Sequence, residues 1–466
     1  MKKAHFIGIC GKGMSALAFI YKKAGYRVTG SDEGFYDPIY SMLKKAKIKF
    51  YSGHKKGNIP KDADEIIIGK HAKLTKEENE EVAHAFMTHK NIMSLPEALG
   101  RISIKKENTV VVGSFGKSTI TSLLSWCLLH AKKDPSFFIG AVPLNLKTNA
   151  RLGKSKDFII EGDEYPSSNW DSSAKFLHMH PKNCILISGE HDHINVFPTE
   201  KDYVKPYIEL MKLLPENGLL IANKEGKNVM KISEKSKCRI VTYGKNKKAE
   251  YYPENIKYGL KTSFDLFCRG KKVITLETIL LGEHNIENIT AVCAFILEKK
   301  LLNKEELKKG IKSFKGISGR LDLKNKNSII PIYEGFGSSY SKAKSVFDAL
   351  KLHFSDKKII TIFEPHTFSW RNRDALKWYK NVFHGISEVI LLPPPEHGAN
   401  THNQLSYDEI FNEIKKYNSV HKAQTEKEAL NLIRKITTKE NIIVLVSSGS
   451  LFGLTESVPK LIKKLF

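Results

Sequence analysis

The stretch Val110–Thr121 has the residue types and the spacing that bind a nucleotide phosphate. The valines that open it predict a buried strand, and Gly113 and Gly116 predict a tight turn after that strand. Glycines let backbone N–H groups approach a polyphosphate, and Lys117 supplies a full positive charge where a helix is predicted to begin. The hydroxyl of Ser118 suits a magnesium ion that bridges the phosphates. Because the spacing between the glycines is shorter than in the common phosphate-binding loop, an ordinary turn stays open as the alternative.

Two clusters of acidic residues and histidines follow predicted strands in the same region. Glu161–Tyr165 follows the strand Asp157–Ile160, and Glu190–His193 lies just after the strand Asn183–Ile187. Open α/β sheets bind ligands at the carboxyl ends of their strands, and such side chains there suit a divalent-metal shell. Solvated loop charge is the alternative for either cluster alone. Two clusters in one region with a phosphate loop favour a site.

Glycines near the N-terminus match part of a dinucleotide-binding pattern. Gly8, Gly11 and Gly13 follow a predicted strand, and Asp32 comes about 20 residues later, where such a unit places its ribose-binding acid. The glycine order differs from the standard one, so a plain tight turn in an α/β domain is the alternative.

Polar residues open another predicted helix. His284, Asn285 and Asn288 share one helical face. Amides there could read a base edge and the imidazole could stack on it. An N-terminal cap with exposed polar residues explains them equally well.

The length of 466 residues and the hydrophobic content of 41% predict about three domains with cores of their own. The six cysteines stand singly, without metal-site or disulfide spacing, which favours a reducing compartment. The N-terminus lacks a signal-peptide pattern, and no apolar run approaches the roughly 20 residues that span a bilayer. We therefore expect a cytoplasmic protein without membrane insertion.

The net charge of +25 raises the question of nucleic-acid binding. Only nine of the 75 basic residues are arginine, and the lysines are scattered along the whole chain. Base readout and bidentate phosphate contacts favour arginine, and no helix-turn-helix, zinc-finger or aromatic RNA-binding pattern is evident. We therefore expect small-molecule substrates and no nucleic-acid partner.

Strand and helix signals alternate along the chain, which predicts an α/β fold. Strands are predicted at 4–9, 26–29, 49–51, 65–69, 157–160 and 183–187, and then at 329–333, 358–363, 388–392 and 441–447. The connections between these groups place the predicted domains at 1–106, 107–317 and 318–466.

A series of motifs resembles the Mur ligase family. In chain order they are Gly-Ile-Cys-Gly-Lys-Gly-Met, Gly-Ser-Phe-Gly-Lys-Ser-Thr, Glu-Gly-Asp-Glu, Glu-His-Asp-His, Gly-Glu-His-Asn-x-x-Asn and Phe-Lys-Gly-x-x-x-Arg. The resemblance runs over the whole chain, and the short glycine loop is itself a mark of the family. It implies a Rossmann-like UDP-binding domain, a central P-loop ATPase domain and a C-terminal Rossmann-like domain that binds the amino acid or peptide.

The resemblance also implies the roles of individual residues. The UDP moiety would contact Gly8, Gly11, Gly13 and Asp32. ATP would contact Gly113, Ser114, Phe115, Gly116, Lys117, Ser118, Thr119, His284, Asn285, Asn288 and Arg320. Mg²⁺ would bind Ser118, Glu161 and His193, and the catalytic residues would be Lys117, Glu161 and His193. The peptide carboxylates would meet His366, Arg371 and Arg373.

The activity that the resemblance implies is ATP-dependent amide formation through an acyl phosphate, in peptidoglycan metabolism and cell-wall recycling. Three segments are most similar to members that join UDP-N-acetylmuramate to the tripeptide L-alanyl-γ-D-glutamyl-meso-diaminopimelate, namely 30–38, 140–145 and 163–176. We therefore expect a short peptide as the acceptor. The alternative is the members that add L-alanine.

Several positions depart from the family pattern. Ser114 and Phe115 stand where the family loop has threonine and histidine, and Glu334–Tyr340 replaces an Asp-Asp-x-x-His-His-Pro motif. Lys70 and His71 replace an Asn-Ala pair. Two hypotheses follow, an active amide ligase and a ligand-binding relative with weak or no catalysis. The retained phosphate-loop lysine and its predicted acidic and histidine partners favour the active ligase.

Overall fold

The computed structural model describes residues 1–191, 196–325, 328–395 and 404–466. Its first sheet contains β1 Lys3–Ile7, β2 Arg27–Asp32, β3 Lys49–Ser52, β4 Glu65–Ile68 and β5 Ile92–Ser94. These strands pair in parallel in the order β3-β2-β1-β4-β5. The chain reverses direction across the sheet between β1 and β4, so the carboxyl ends of these two strands flank a crevice of the kind that binds ligands.

Helices cover both faces of the first sheet. They are α1 Lys12–Lys23, α2 Ile39–Lys45, α3 Glu80–Thr88 and α4 Leu95–Ser103. Successive side chains of β1 point to opposite faces, so Phe6 belongs to the core on the α1 side and Ile7 to the core beneath α3. Local capping fixes where α3 begins, because the Asn79 side chain accepts hydrogen bonds from the backbone N–H groups of Glu81 and Val82.

The second sheet is built around a strand of valines. Its strands are β6 Glu107–Val112, β7 Ser136–Phe138, β8 Ala150–Arg151, β9 Asp157–Glu161, β10 Asn183–Leu186, β11 Leu219–Asn223, β12 Arg239–Tyr243, β13 Tyr251–Lys257, β14 Thr262–Cys268 and β15 Lys271–Thr278. In the described residues they run in the order β15-β14-β13-β12-β11-β10-β6-β9-β7-β8. Because β9 and β10 pair in parallel with β6 on its two sides, the carboxyl ends of three adjacent strands meet at one edge.

Five helices of the described chain accompany this sheet or follow it: α5 Lys117–His130, α6 Glu200–Leu213, α7 Val229–Ser233, α8 Glu283–Glu298 and α9 Lys304–Ser313. Helix α5 begins directly after the turn that ends at Gly116. Val110, Val111 and Val112 are fully buried, as expected for a parallel strand that is covered on both faces.

The third sheet contains β16 Asp322–Leu323, β17 Ile332–Phe336, β18 Lys358–Phe363, β19 Glu388–Leu391, β20 Val420–Lys422 and β21 Asn441–Ser447. Its order is β16-β17-β21-β18-β19-β20, and the short β16 is antiparallel to β17. The associated helices are α10 Tyr340–His353, α11 Phe368–Arg371, α12 Leu376–Val382, α13 Tyr407–Lys415, α14 Glu426–Ile436 and α15 Leu454–Leu465.

The predicted α/β fold is confirmed, with small differences at element ends. The strand expected at 329–333 is found at Ile332–Phe336. Pro331 has no backbone N–H for the ladder, which explains why the strand begins after it. Helix α4 has no counterpart among the predicted elements, and its first turn is closed by a capping box between Ser94 and Glu97.

The chain forms two compact units. One comprises Met1–Asn255, Phe264–Leu276 and Ile286–Phe314, and the other comprises Ile256–Ser263, Glu277–Asn285 and Lys315–Phe466. The first unit therefore holds the first sheet and most of the second. The domain boundaries at 106 and 317 stay a prediction. No helix in the described ranges has the length and apolarity that crossing a membrane requires.

A buried histidine ties three segments of the second unit together. His353, at the end of α10, accepts a hydrogen bond from Gly282 N at its Nε2 (2.9 Å), and its Nδ1 lies 2.8 Å from Gly259 O. A carbonyl only accepts, so Nδ1 carries the proton and the ring is neutral. Burial lowers the pKa of His353, which favours the same neutral form.

We expect His353→Gln to flatten the dependence of stability on acidic pH. Protonation of His353 removes the acceptor of the buried Gly282 N–H. Because folding lowers the pKa of His353, its contribution is complete above the ordinary histidine pKa of about 6.5 and is lost as the pH falls below it. Glutamine offers a donor and an acceptor but does not titrate. Melting midpoints between about pH 7.5 and 5.5 should fall less in the variant, by the equivalent of about 1 kcal/mol.

The control is His384→Gln, which removes an exposed histidine from the same unit. It should leave the pH dependence as in the wild type. Equal acid-induced losses in wild type and His353→Gln would rule out His353 as the titrating group.

Candidate active site

The phosphate-loop sequence forms a tight turn between β6 and α5. Gly113 has φ +136° and Gly116 has φ +80°, both in the region that favours glycine. A Cβ at Gly113 would lie 2.8 Å from Ser188 N, and one at Gly116 would lie 2.6 Å from Asn288 Oδ1. The turn therefore needs glycine at both positions, for its backbone conformation and for its close neighbours.

Lys117, the first residue of α5 after this turn, forms an ion pair with Glu164. Its Nζ donates to Gly113 O at 2.6 Å and lies 2.8 Å and 3.2 Å from the two carboxylate oxygens of Glu164. Glu164 is only 2% exposed. Glu164 belongs to the acidic cluster Glu161–Tyr165. Its role beside Lys117 has no local sequence signal, because the two residues are distant in the chain.

Ser118 and Glu161 form a pair of oxygen donors beside the lysine. Ser118 Oγ donates to Glu161 Oε1 at 2.7 Å, and the other carboxylate oxygen accepts from Gly140 N at 2.7 Å. Glu161 is the last residue of β9, so the strand end and the Gly140 amide together fix its carboxylate. Hydroxyl and carboxylate oxygens are ligands that Mg²⁺ prefers.

His193, the third predicted metal ligand, lies outside the described residues, as does Asp192. Within the described ranges, no group of three or more His, Cys, Asp and Glu side chains is arranged to hold a metal ion. The predicted metal set therefore stays a prediction, with two of its three members in hydrogen-bond contact.

Ser114 and Phe115 occupy different environments. Ser114 Oγ donates to Glu190 O at 2.5 Å and lies 3.1 Å from the Tyr203 hydroxyl. Phe115 is 39% exposed. The serine therefore joins the turn to the loop after β10, whereas the phenylalanine ring is partly open to solvent.

The polar face predicted on α8 is divided between the two units. Asn288 is buried in the first unit against the Gly116 turn. His284 and Asn285 belong to the second unit, and Asn285 Nδ2 donates to Leu281 O at 2.8 Å. Arg320 also belongs to the second unit and is exposed, so the ATP contacts predicted for these residues stay predictions.

The N-terminal glycines and Asp32 come together at the carboxyl end of β1. Gly8 has φ +82°, and its N–H donates to Ser31 O at 2.9 Å. Asp32 Oδ2 accepts from Cys10 N at 2.7 Å, so this carboxylate closes the glycine turn. Burial, and then the charge of Asp32, raise the pKa of the Cys10 thiol to about 12.

Gly11 precedes α1, and Gly13 lies in its first turn, where an added Cβ would approach Leu95 Cδ1 to 2.8 Å. The N-terminus of α1 therefore faces the crevice between β1 and β4, where the helix offers partial positive charge and backbone N–H groups.

The predicted peptide-binding residues lie near one another in sequence but differ in exposure. His366 Nδ1 lies 3.5 Å from Glu364 Oε1. Arg371 is 4% exposed, and its Nη1 donates to Pro395 O at 2.8 Å and to Gln404 Oε1 at 3.1 Å. Arg373 pairs with Glu409 at 2.9 Å. Arg371 thus holds neighbouring loops, and a role of the three residues in peptide binding is not tested by these contacts.

The altered segment Glu334–Tyr340 runs from the end of β17 to the first residue of α10. A Cβ at Gly335 would lie 2.7 Å from Val346 Cγ1, and Gly337 O accepts a 2.6 Å hydrogen bond from Trp370 Nε1. Glu334 pairs with Lys324 at 2.7 Å. Close packing explains why glycines stand here, because a Cβ at Gly337 would likewise lie too close to Val446 Cγ1.

Two family models match this chain, the Mur ligase family catalytic domain over residues 3–107 and the Mur ligase middle domain over residues 111–296. A UDP-N-acetylmuramate–L-alanine ligase of Pelagibacter ubique is 30% identical over 467 residues, covering 98% of each chain. The chain belongs to the Mur ligase family. It is an ATP-dependent amide ligase of the kind that the family contains.

Other relatives extend the comparison. A UDP-N-acetylmuramate–L-alanine ligase of Clostridium perfringens is 28% identical over 463 residues, or 98% of this chain and 97% of the relative. The solved UDP-N-acetylmuramate–alanine ligase of Thermotoga maritima covers 100% of both chains with a TM-score of 0.74 at 20% identity. A UDP-N-acetylmuramate:L-alanyl-γ-D-glutamyl-meso-diaminopimelate ligase of Neisseria meningitides covers 68% of this chain and 99% of its own, with a TM-score of 0.61 and 28% identity.

These findings confirm the predicted family, the ligase activity and small-molecule substrates with ATP among them. They do not support the expected preference for a tripeptide acceptor. They favour the alternative, the family members that add L-alanine. The three segments on which that preference was based are short, whereas the relatives named above match almost the entire chain.

We expect Gly116→Ala to weaken ATP binding by tenfold or more. The side chain would have to occupy a positive-φ backbone position and would meet the Asn288 amide, so the turn must shift. Left-handed backbone at a residue other than glycine costs about 1 kcal/mol, before the steric contact is counted. Calorimetric titration with ATP measures the effect.

Gly25→Ala is the matched control, because Gly25 has φ +92° but nothing lies near its added Cβ. It should carry the backbone strain and leave ATP affinity unchanged. An unchanged affinity in Gly116→Ala would show that this turn does not hold the nucleotide.

Proposed function

We propose that this protein is a UDP-N-acetylmuramate–L-alanine ligase. The observation that carries the proposal is the extent of the similarity to ligases of that name, which spans 98% of the chain. The family models end at residue 296, so they do not report on the third sheet, whereas the full-length similarity includes it. An acceptor amino acid is recognised outside the phosphate loop, and the whole-chain similarity therefore bears on its identity.

The chemistry requires charge placement rather than a nucleophilic side chain. A carboxylate oxygen of the muramate attacks the γ-phosphorus of ATP, which forms an acyl phosphate and releases ADP. The amine of L-alanine then attacks the acyl carbon, and inorganic phosphate leaves as the amide forms. The developing charge on the transferred phosphoryl group needs fixed positive partners. Lys117 and the N–H groups of the Gly113–Gly116 turn supply them.

The residues at the end of β9 fit a magnesium ion. Ser118 and Glu161 offer a hydroxyl and a carboxylate oxygen in hydrogen-bond contact, and Gly140 N orients the carboxylate. Ser118, Glu161 and His193 would hold Mg²⁺, which when bound neutralises charge on the ATP phosphates. The histidine is the least typical of these ligands, since Mg²⁺ prefers oxygen.

The other predicted site residues are assigned to the remaining parts of the substrates. Gly8, Gly11, Gly13 and Asp32 would bind the UDP moiety at the carboxyl end of β1. His284, Asn285, Asn288 and Arg320 would contact the adenosine, and His366, Arg371 and Arg373 are the proposed acceptor-binding residues. A cytoplasmic location fits a reaction that consumes ATP and a UDP-linked sugar.

Phosphate release from ATP in the presence of UDP-N-acetylmuramate tests the proposal. We expect turnover with L-alanine, and at least tenfold lower kcat/KM with L-alanyl-γ-D-glutamyl-meso-diaminopimelate, equivalent to about 1.4 kcal/mol in transition-state binding. Mass spectrometry of the product should show the sugar nucleotide extended by one alanine.

Lys117→Ala is the control for background ATP hydrolysis, and it should reduce turnover at least a hundredfold. A preference for the tripeptide would replace this proposal with the peptide ligase. A thermal shift with UDP-N-acetylmuramate but no turnover above the Lys117→Ala background would favour the ligand-binding relative.

A further inference from the structure

Lys70 occupies a position at which the sequence departs from the family pattern. It follows β4 and lies at the carboxyl end of that strand, beside the crevice between β1 and β4. Gly69 N donates to Ile7 O at 2.9 Å, and an added Cβ at Gly8 would lie 3.9 Å from Gly69 Cα. The backbone of Lys70 therefore lies next to the glycine turn at Gly8, whose amide at Cys10 is bonded by Asp32.

The side chain of Lys70 extends toward the segment that follows β9. Its Nζ donates to Pro166 O at 3.2 Å. In the same segment Lys175 pairs with Asp163 at 2.5 Å, and Glu164 pairs with Lys117 of the phosphate loop at 2.8 Å. The ammonium of Lys70 thus contacts the same segment as the glutamate that pairs with the phosphate-loop lysine.

Lys70 differs from the other two lysines here in that its described partner is a carbonyl rather than a carboxylate. Asp163 and Glu164 each pair with one lysine, and within the described part of the chain Lys70 forms no salt bridge with either carboxylate. Lys70 is an exposed residue, and partial desolvation of its side chain lowers its pKa; the nearby ammonium of Lys175 lowers the pKa further, whereas Asp163 acts in the opposite direction. An anion placed here would relieve the repulsion between the lysines.

Lys70 is not required to fasten the two loops together. Asn169 Nδ2 donates to His71 O at 2.8 Å and to Leu74 O at 2.9 Å. These bonds join the loop after β4 to the segment after β9 without the lysine. Its position is thus better explained by its charge than by support of the fold.

We propose that Lys70 binds the carboxylate of the UDP-linked muramate and holds it between the glycine turn after β1 and the phosphate loop. This inference rests on the proposed function. The diphosphate has other partners, because the glycine turn and the N-terminus of α1 offer backbone N–H groups. The carboxylate that accepts the phosphoryl group must approach Lys117, and Lys70 points to that side.

The test compares two sugar nucleotides that differ by the lactoyl carboxylate, UDP-N-acetylmuramate and UDP-N-acetylglucosamine. Lys70→Gln removes the charge and keeps a donor for Pro166 O. We expect it to weaken UDP-N-acetylmuramate binding about tenfold, the size expected for one charge-assisted hydrogen bond, and to leave UDP-N-acetylglucosamine binding within about twofold. Lys70→Arg should restore most of the loss, and added salt should reduce the difference between Lys70→Gln and wild type.

Lys73→Gln is the matched control, since Lys73, like Lys70, is an exposed lysine of the loop after β4. It should change neither affinity. Equal weakening of both nucleotides in Lys70→Gln would assign the lysine to the diphosphate or to the fold and would overturn the inference, as would no change in either.

Binding is measured by calorimetry, without turnover, so the two proposals can fail separately. A wild-type protein that binds UDP-N-acetylmuramate but does not use L-alanine overturns the proposed function alone. A wild-type protein that binds UDP-N-acetylglucosamine as tightly as UDP-N-acetylmuramate overturns the role of Lys70, whatever the acceptor.

Discussion

The burial of β6 between two parallel neighbours is the constraint on which the site depends. Its valines are fully buried, and β9 and β10 pair with it on either side. A shift by one residue would turn each apolar side chain to the opposite face of the sheet, where it would no longer fit its neighbours. The turn after Val112, the carboxylate of Glu161 and the loop after β10 are therefore brought to one edge of the sheet. Lys117, Ser118 and Glu161, which are proposed to act on the ATP phosphates, all lie at that edge.

Much of this arrangement could be predicted from the sequence, because its signals are local. Valine runs, glycine spacing and the acidic residues at strand ends indicated the α/β fold, the turn at Gly113–Gly116 and the carboxyl-end placement of Glu161. The glycine turn at Gly8 and its closure by Asp32 follow from the same kind of pattern. Because the strands pair in parallel, their carboxyl ends meet at one edge of the sheet, and these local features come together there.

The rest depends on contacts between residues far apart in the chain. Asn288 packs against Gly116, and Gly140 N orients Glu161, yet neither contact has a sequence signal. In the sequence, the replacement of an Asp-Asp pair by Glu334 and Gly335 is one of the departures that leave weak catalysis open as a hypothesis. In the structure Gly335 allows close packing against α10. The expected tripeptide acceptor was based on three short segments, and the similarity over the whole chain does not support it.

Under the proposed function, the pairing of Lys117 with Glu164 makes nucleotide binding an exchange of partners for the lysine. A lysine ammonium has three N–H donors, and in this structure they face Gly113 O and the two oxygens of Glu164. A phosphate that takes one of them displaces a protein oxygen rather than water. In this structure Lys117 and the buried Glu164 are therefore paired with each other. Part of the attraction between lysine and phosphate is offset by the loss of the existing pair, so the affinity for the nucleotide is set by a difference between two ion pairs.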